Sequence, residues 1–198
     1  MASFTETWTH ADSPNSLIAD LTWTLSFGTA WGIVGNRARI QDVANTQRAQ
    51  AIVYTDTTDH IVQVTMPTLT RVGGSSYVEL WCRWDGAQNG YRLIGDPLNT
   101  YIISRLVNGV STNIYTSGIF AASGDVLKLQ AVGSTIQAWV NGVILGPVMD
   151  TGVNGPRSAG IGCFLDTAGN VLELDNWSLR DYVNFDDDGD SFQIRQAA

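Results

Sequence analysis

At 198 residues the chain is long enough for one domain with a sizeable core, and 44% hydrophobic against 15% charged residues marks it as globular rather than disordered. A net charge of −8 leaves no basic patch, which excludes nucleic-acid binding through phosphates and disfavours anionic membrane surfaces. No apolar run reaches the length of a membrane span, so no membrane insertion is expected.

The chain opens MASFTETWTH, with neither a basic n-region nor an apolar h-region, so no Sec-type signal peptide is expected. A role outside the cell would then require lysis or assembly into a particle. Residues 3–10 read as a short polar strand carrying Phe4 and Trp8, and Ala11–Ser16 as a turn. Residues 17–41 hold Trp23, Phe27 and Trp31 ahead of a Gly35-Asn36 turn. Ala49–Thr55 and His60–Met66 are two further strands joined by Asp56–Asp59, with Val62, Val64 and Met66 on one face. In Tyr77–Trp84 the period of two puts Val78, Leu80, Cys82 and Trp84 on a core face. Tyr77, Glu79, Trp81 and Arg83 fall on the opposite, outward face. Asp85–Gly90 turns the chain into Tyr91–Ile94, and Thr100–Val107 and Ser111–Tyr115 flank an Asn108-Gly109 turn.

The clearest stretch is Asp125–Asp150. Leu127, Leu129 and Ala131 alternate with Lys128, Gln130 and Val132, and Gly133-Ser134 ends that run. Ile136, Ala138 and Val140 share one face of the next strand, while Gln137 and Trp139 share the other. Asn141-Gly142 suits a two-residue type I′ turn into Val143–Leu145. Such a meander must pack its apolar face on a second sheet. Ser158–Leu165 and Val171–Arg180 close the series, which makes about a dozen strands and no amphipathic helix. That spacing means a sandwich or barrel. The expected organisation is one domain over 1–182 followed by an acidic arm over 183–198.

Three motifs stand in order at ordinary spacing: RWDGAQNGYRL (Arg83–Leu93), DVLKLQAVGSTIQAWVNGVIL (Asp125–Leu145) and SAGIGCFLDTAGNVLELDNWSL (Ser158–Leu179). Together they resemble the concanavalin A-like jelly rolls of the laminin-G type, over most of residues 50–180. The resemblance implies an all-β sandwich of two antiparallel sheets but no particular activity. Thr7–Ala38, which opens TWTHADSPN and closes GNRA, resembles the start of LamG-like virion proteins of actinobacterial phages, particularly minor tail proteins. That second resemblance implies a virion location, other virion proteins and copies of the same chain as partners, and a structural or adhesion role.

Glucanases of this fold gather carboxylates on one strand as E-x-D-x-x-E. Glu173-Leu174-Asp175-Asn176-Trp177-Ser178 begins that pattern and lacks the last carboxylate, and His10 and His60 sit in polar turn or strand-start contexts. Asp175-Asn176 reads as a strand-end cap or turn pair. The expectation is therefore a non-enzymatic protein. Sugars are held by ring stacking and planar polar groups. The candidate carbohydrate site is Tyr77, Glu79, Trp81 and Arg83, joined by Gln137 and Trp139 if these share the same sheet face. Ordinary surface charges and interface aromatics are the competing reading of these six residues. Asn184–Asp190 matches half of an EF-hand loop, but Arg195 stands where a bidentate Glu is required, so an acidic solvated tail is the better reading. No cofactor is expected; calcium among rim loops is the alternative, with ligands that spacing does not place. Phe185, Phe192 and Ile194 are spaced as anchors for an interaction arm that adds to a neighbour's open edge. Cys82 and Cys163 read as buried free thiols, with a cross-strand disulfide as the alternative. A free lectin-like module of a cellular protein and a polysaccharide-cleaving hydrolase are the rival functions.

Overall fold

The computed structural model describes residues 1–13, 21–27, 31–40, 44–51 and 53–182. They form fifteen strands and no helix. In chain order these are β1 (Ser3–Glu6), β2 (Trp23–Phe27), β3 (Trp31–Ile33), β4 (Ala38–Ile40), β5 (Ala44–Ala51), β6 (His60–Thr70), β7 (Ser76–Cys82) and β8 (Gly90–Gly95). Then follow β9 (Thr100–Val107), β10 (Val110–Phe120), β11 (Asp125–Val132), β12 (Thr135–Val140), β13 (Val143–Met149), β14 (Gly160–Leu165) and β15 (Val171–Asp181). One sheet runs β13-β12-β11-β6-β15-β4-β3, with β1 sharing the far side of β15, and the other runs β10-β9-β8-β7-β14-β5-β2. All pairings are antiparallel. The anchors Phe185, Phe192 and Ile194 and the Asn184–Asp190 segment lie outside the described residues.

The expected alternation governs the packing. Leu127, Leu129, Ala131, Ile136, Ala138, Val140, Val62, Val64 and Met66 point inward from the first sheet and are fully buried or nearly so. Val78, Leu80 and Cys82 meet them from the second sheet. The Asn141-Gly142 turn has φ of 51° and 80°, and the Asn141 side chain fixes it twice. Its Oδ1 accepts from Val126 N at 2.9 Å and its Nδ2 donates to Asp125 Oδ1 at 2.7 Å. Asp125 in turn accepts the Tyr101 hydroxyl at 2.7 Å, which ties the turn to the opposite sheet.

Two expectations need correction. β7 ends at Cys82, and Arg83 takes a φ of 45°, so the parity of the strand breaks there. Trp84 is buried, but beside Trp81 and Leu106 rather than with Val78, Leu80 and Cys82. Asp175-Asn176 is not a strand end: it forms a bulge inside β15, with Asn176 at φ 52° and Asp175 Oδ1 accepting the Asn176 N–H. His60 stands at the start of β6, as expected, and is fully buried there. Cys82 and Cys163 are both buried thiols, with no bridge between them. Cys163 lies opposite Val78, four positions along β7 from Cys82, which is out of reach for a disulfide. Burial pushes the Cys82 thiol up to about 12, partly offset by the Arg83 charge.

Candidate functional site

The structure separates the six candidate residues into four environments. Glu79 and Trp81 do lie on the face of β7 turned away from the core, yet both are completely buried. The cause is β14, which sets Gly160 opposite Trp81 and Gly162 opposite Glu79. With no side chain on either glycine, a trough opens beside β7. Arg48, paired with Gly162 from β5, reaches across it. Arg48 Nε and Nη2 grip Glu79 Oε2 and Oε1 at 2.6 and 3.0 Å, Trp81 Nε1 donates to Oε2 at 3.0 Å, and Arg92 Nη1 donates to Oε1. Both guanidinium groups also lie over the Trp81 ring, at 4.9 and 5.3 Å from its centroid, and Trp84 stacks against it at 5.0 Å. Burial works against the Arg48 charge, but the hydrogen bond and attraction of Glu79 outweigh it and raise the Arg48 pKa. This closed ionic network has no face left for a ligand.

Arg83 is likewise sequestered, being 1% exposed. Its Nε donates to Thr58 O, Nη1 to Gly133 O, Val153 O and Asn154 Oδ1, and Nη2 to Asp59 Oδ1. It therefore pins three loops at one end of the sandwich. Its backbone N–H donates to His60 Nε2 at 2.9 Å, so that nitrogen must be unprotonated. Burial first, and the Arg83 charge second, hold His60 down at about 4. Tyr77 is half-buried and stacks on Phe164, with centroids 5.2 Å apart.

Gln137 and Trp139 belong to the other sheet and look out from the opposite side of the sandwich, so they do not join the β7 residues. Both are half-exposed. Antiparallel register places Trp139 opposite Lys128, Lys128 opposite Gln63, and Gln63 opposite Ser178. The adjacent row runs Gln137, Gln130, Ile61 and Arg180. At about 4.8 Å per strand, the row from Trp139 to Ser178 spans about 14 Å. The Lys128 ammonium sits 3.8 Å from the Trp139 ring centroid. Burial, and then repulsion from Arg180, lower the Lys128 pKa. The result is an open platform with one indole, three glutamine amides and two cations. Lys128, Gln130, Gln63 and Arg180 were missed as site residues because their assembly depends on the pairing of β11 with β6 and of β6 with β15. The outward positions in each strand were the only sequence signal.

Other features fall short of a site. A shallow depression between Arg71–Gly73 and Pro97-Leu98 offers apolar walls and a single charged group. Glu173 is engaged by Arg37 at 2.9 Å and Thr68 at 2.7 Å. Among the described residues no group of three or more His, Cys, Asp or Glu is arranged to hold a metal ion.

No family model and no curated protein matches the chain. Solved structures do. The carbohydrate-binding module CBM66 from Bacillus subtilis superposes with a TM-score of 0.65 at 17% identity, over 80% of this chain and 96% of that one. The fold is a concanavalin A-like jelly roll. The carbohydrate recognition domain of Emp46p, in its potassium-bound form, gives 0.61 at 13% identity, over 81% of this chain and 89% of that one. A β-glucanase of Bacillus licheniformis gives 0.60 at 11% identity, over 92% and 99%. The jelly roll is thus shared with carbohydrate-binding modules, lectin domains and glucanases alike.

Proposed function

We propose that this chain recognises glycans without cleaving them, through the outer face of the sheet that carries Trp139. The observation that supports this most is the half-exposed indole sharing one sheet face with Gln63, Gln130 and Gln137. Aromatic faces stack on sugar C–H surfaces, and amides both donate to and accept from hydroxyls. Binding is favoured over cleavage because glycoside hydrolysis needs two carboxylates across the scissile bond. Glu79 and Glu173 belong to different sheets, and each is already engaged by arginine. The laminin-G-like assignment, and a role as a virion adhesion protein present in repeated copies, rest on the resemblance of residues 50–180 and of Thr7–Ala38. The edge strands β10 and β13, with Phe120, Val143, Ile144 and Met149 exposed, are the surfaces that would suit contact between copies. A glycan array read with the wild type and Trp139→Ala tests the glycan reading. Binding that Trp139→Ala abolishes, with no released reducing ends, supports it; binding unchanged in that variant, or product release, refutes it.

A further inference from the structure

The two cations on the Trp139 platform call for a more specific ligand. Lys128 is the chain's only lysine, set against ten arginines, in a protein of net charge −8. No carboxylate among the described residues pairs with Lys128 or with Arg180. Burial first, and the like charge of Arg180 second, disfavour the Lys128 ammonium. The carboxylates of β15 are engaged by other groups or set further along the strand. Glu173 is held by Arg37 and Arg39, Asp181 accepts from Ala2 N and Thr57, and Asp175 sits one row further along, opposite Thr65. With no anion at hand, the Lys128 ammonium rests on the Trp139 ring, where a sugar would stack.

Resting on the glycan reading above, we infer that the platform takes a carboxylate-bearing glycan of the uronic-acid type, whose acid group draws Lys128 off the indole and frees the ring for stacking. Arg180 presents the planar fork that matches a carboxylate. A neutral sugar would have to displace Lys128 with nothing to replace the attraction between ammonium and ring. A densely sulfated or phosphorylated chain is disfavoured, because two cations cannot balance it and the net charge of the protein repels it.

The experiment titrates the full chain with a galacturonate oligosaccharide and with its methyl ester, which keeps the backbone and removes the charge. A poly(glycerol phosphate) chain is the third ligand. The wild type should prefer the acid over the ester. Lys128→Ala should reverse the two: the acid weakens about tenfold, the value of one charge-assisted hydrogen bond. The ester tightens about two- to fivefold, the value of an exposed cation–π interaction. Arg180→Gln should weaken the acid alone. Both positions are on the surface, so unchanged melting temperatures confirm folding. If neutral glycans bind in a Trp139-dependent way and neither cation matters, the acidic-ligand inference is wrong while the glycan reading stands. Tighter binding of the phosphate chain than of the uronate overturns the carboxylate assignment. If no glycan binds at all, the underlying reading fails first.

Discussion

Replacing Glu79 by Gln tests whether the β7 network is structural. The carboxylate is completely buried and accepts four hydrogen bonds: two from Arg48, one from Arg92 and one from Trp81. Glutamine has nearly the same shape, but it keeps one acceptor oxygen and points an NH2 donor at guanidinium donors. Two arginines, 12% and 10% exposed at the side chain, then lose the Glu79 counter-charge. Breaking a buried ion pair from one side typically costs about 3–5 kcal/mol. Each kcal/mol lowers the melting temperature of a domain of this size by about 2–4 °C, so a fall of about 6–20 °C is expected. Thermal unfolding followed by near-UV circular dichroism measures it, with urea denaturation as a second reading. A loss under about 1 kcal/mol would be the behaviour of a solvent-screened pair, and the network would then not be a closed structural unit.

Trp81→Ala should destabilise by about 3–5 kcal/mol, the range for a buried aromatic, and leave glycan affinity per folded molecule unchanged; calorimetry on the folded fraction decides. Below pH 6.5 stability should fall, because the unfolded chain protonates His60 near its ordinary pKa while the folded chain resists until about 4. The sign follows from a depressed folded pKa: stability is complete above 6.5 and lost as pH drops through this window, about 3 kcal/mol in total. His60→Gln should flatten the unfolding free energy between pH 6.5 and 4, and an unchanged slope would refute the assignment. Asn141→Ala should cost about 2–3 kcal/mol by removing two hydrogen bonds and leaving a non-glycine residue at positive φ, as urea midpoints would show. In the native state Cys82 should resist a thiol reagent such as a disulfide dye, and react only on unfolding.

Period-two patterning made β11, β12 and the inward half of β6 legible, because a strand's own sequence records which of its faces is apolar. It could not record what the neighbouring strand contributes. Glu79 and Trp81 read as outward, and outward they are, but Gly160 and Gly162 on β14 let Arg48 fold over them. The Gly-x-Gly that opens β14 was the available sign that large neighbours would lean in. Trp84 was misplaced because alternation assumes an unbroken strand, and Arg83 breaks it with a left-handed backbone. Likewise β5 begins at Ala44 rather than Ala49, since Asn45, Thr46 and Gln47 carry no apolar alternation to mark them. Trp139 and Gln137 were legible as outward. That they stand with Lys128, Gln130 and Gln63, away from Tyr77, is a fact of sheet topology, set by pairings between strands distant in sequence.

The most direct test of recognition by the outer sheet face is the indole region of a 1H–15N NMR spectrum, where the seven tryptophans report separately. During titration with any glycan retained on the array, the Trp139 Nε1–H resonance, assigned through Trp139→Phe, should shift in a saturable manner. The resonances of buried Trp81, Trp84, Trp31 and Trp177 should stay in place. A saturable shift at Trp81 or Trp84 with Trp139 unmoved would place the ligand on the other sheet and contradict recognition by the Trp139 face.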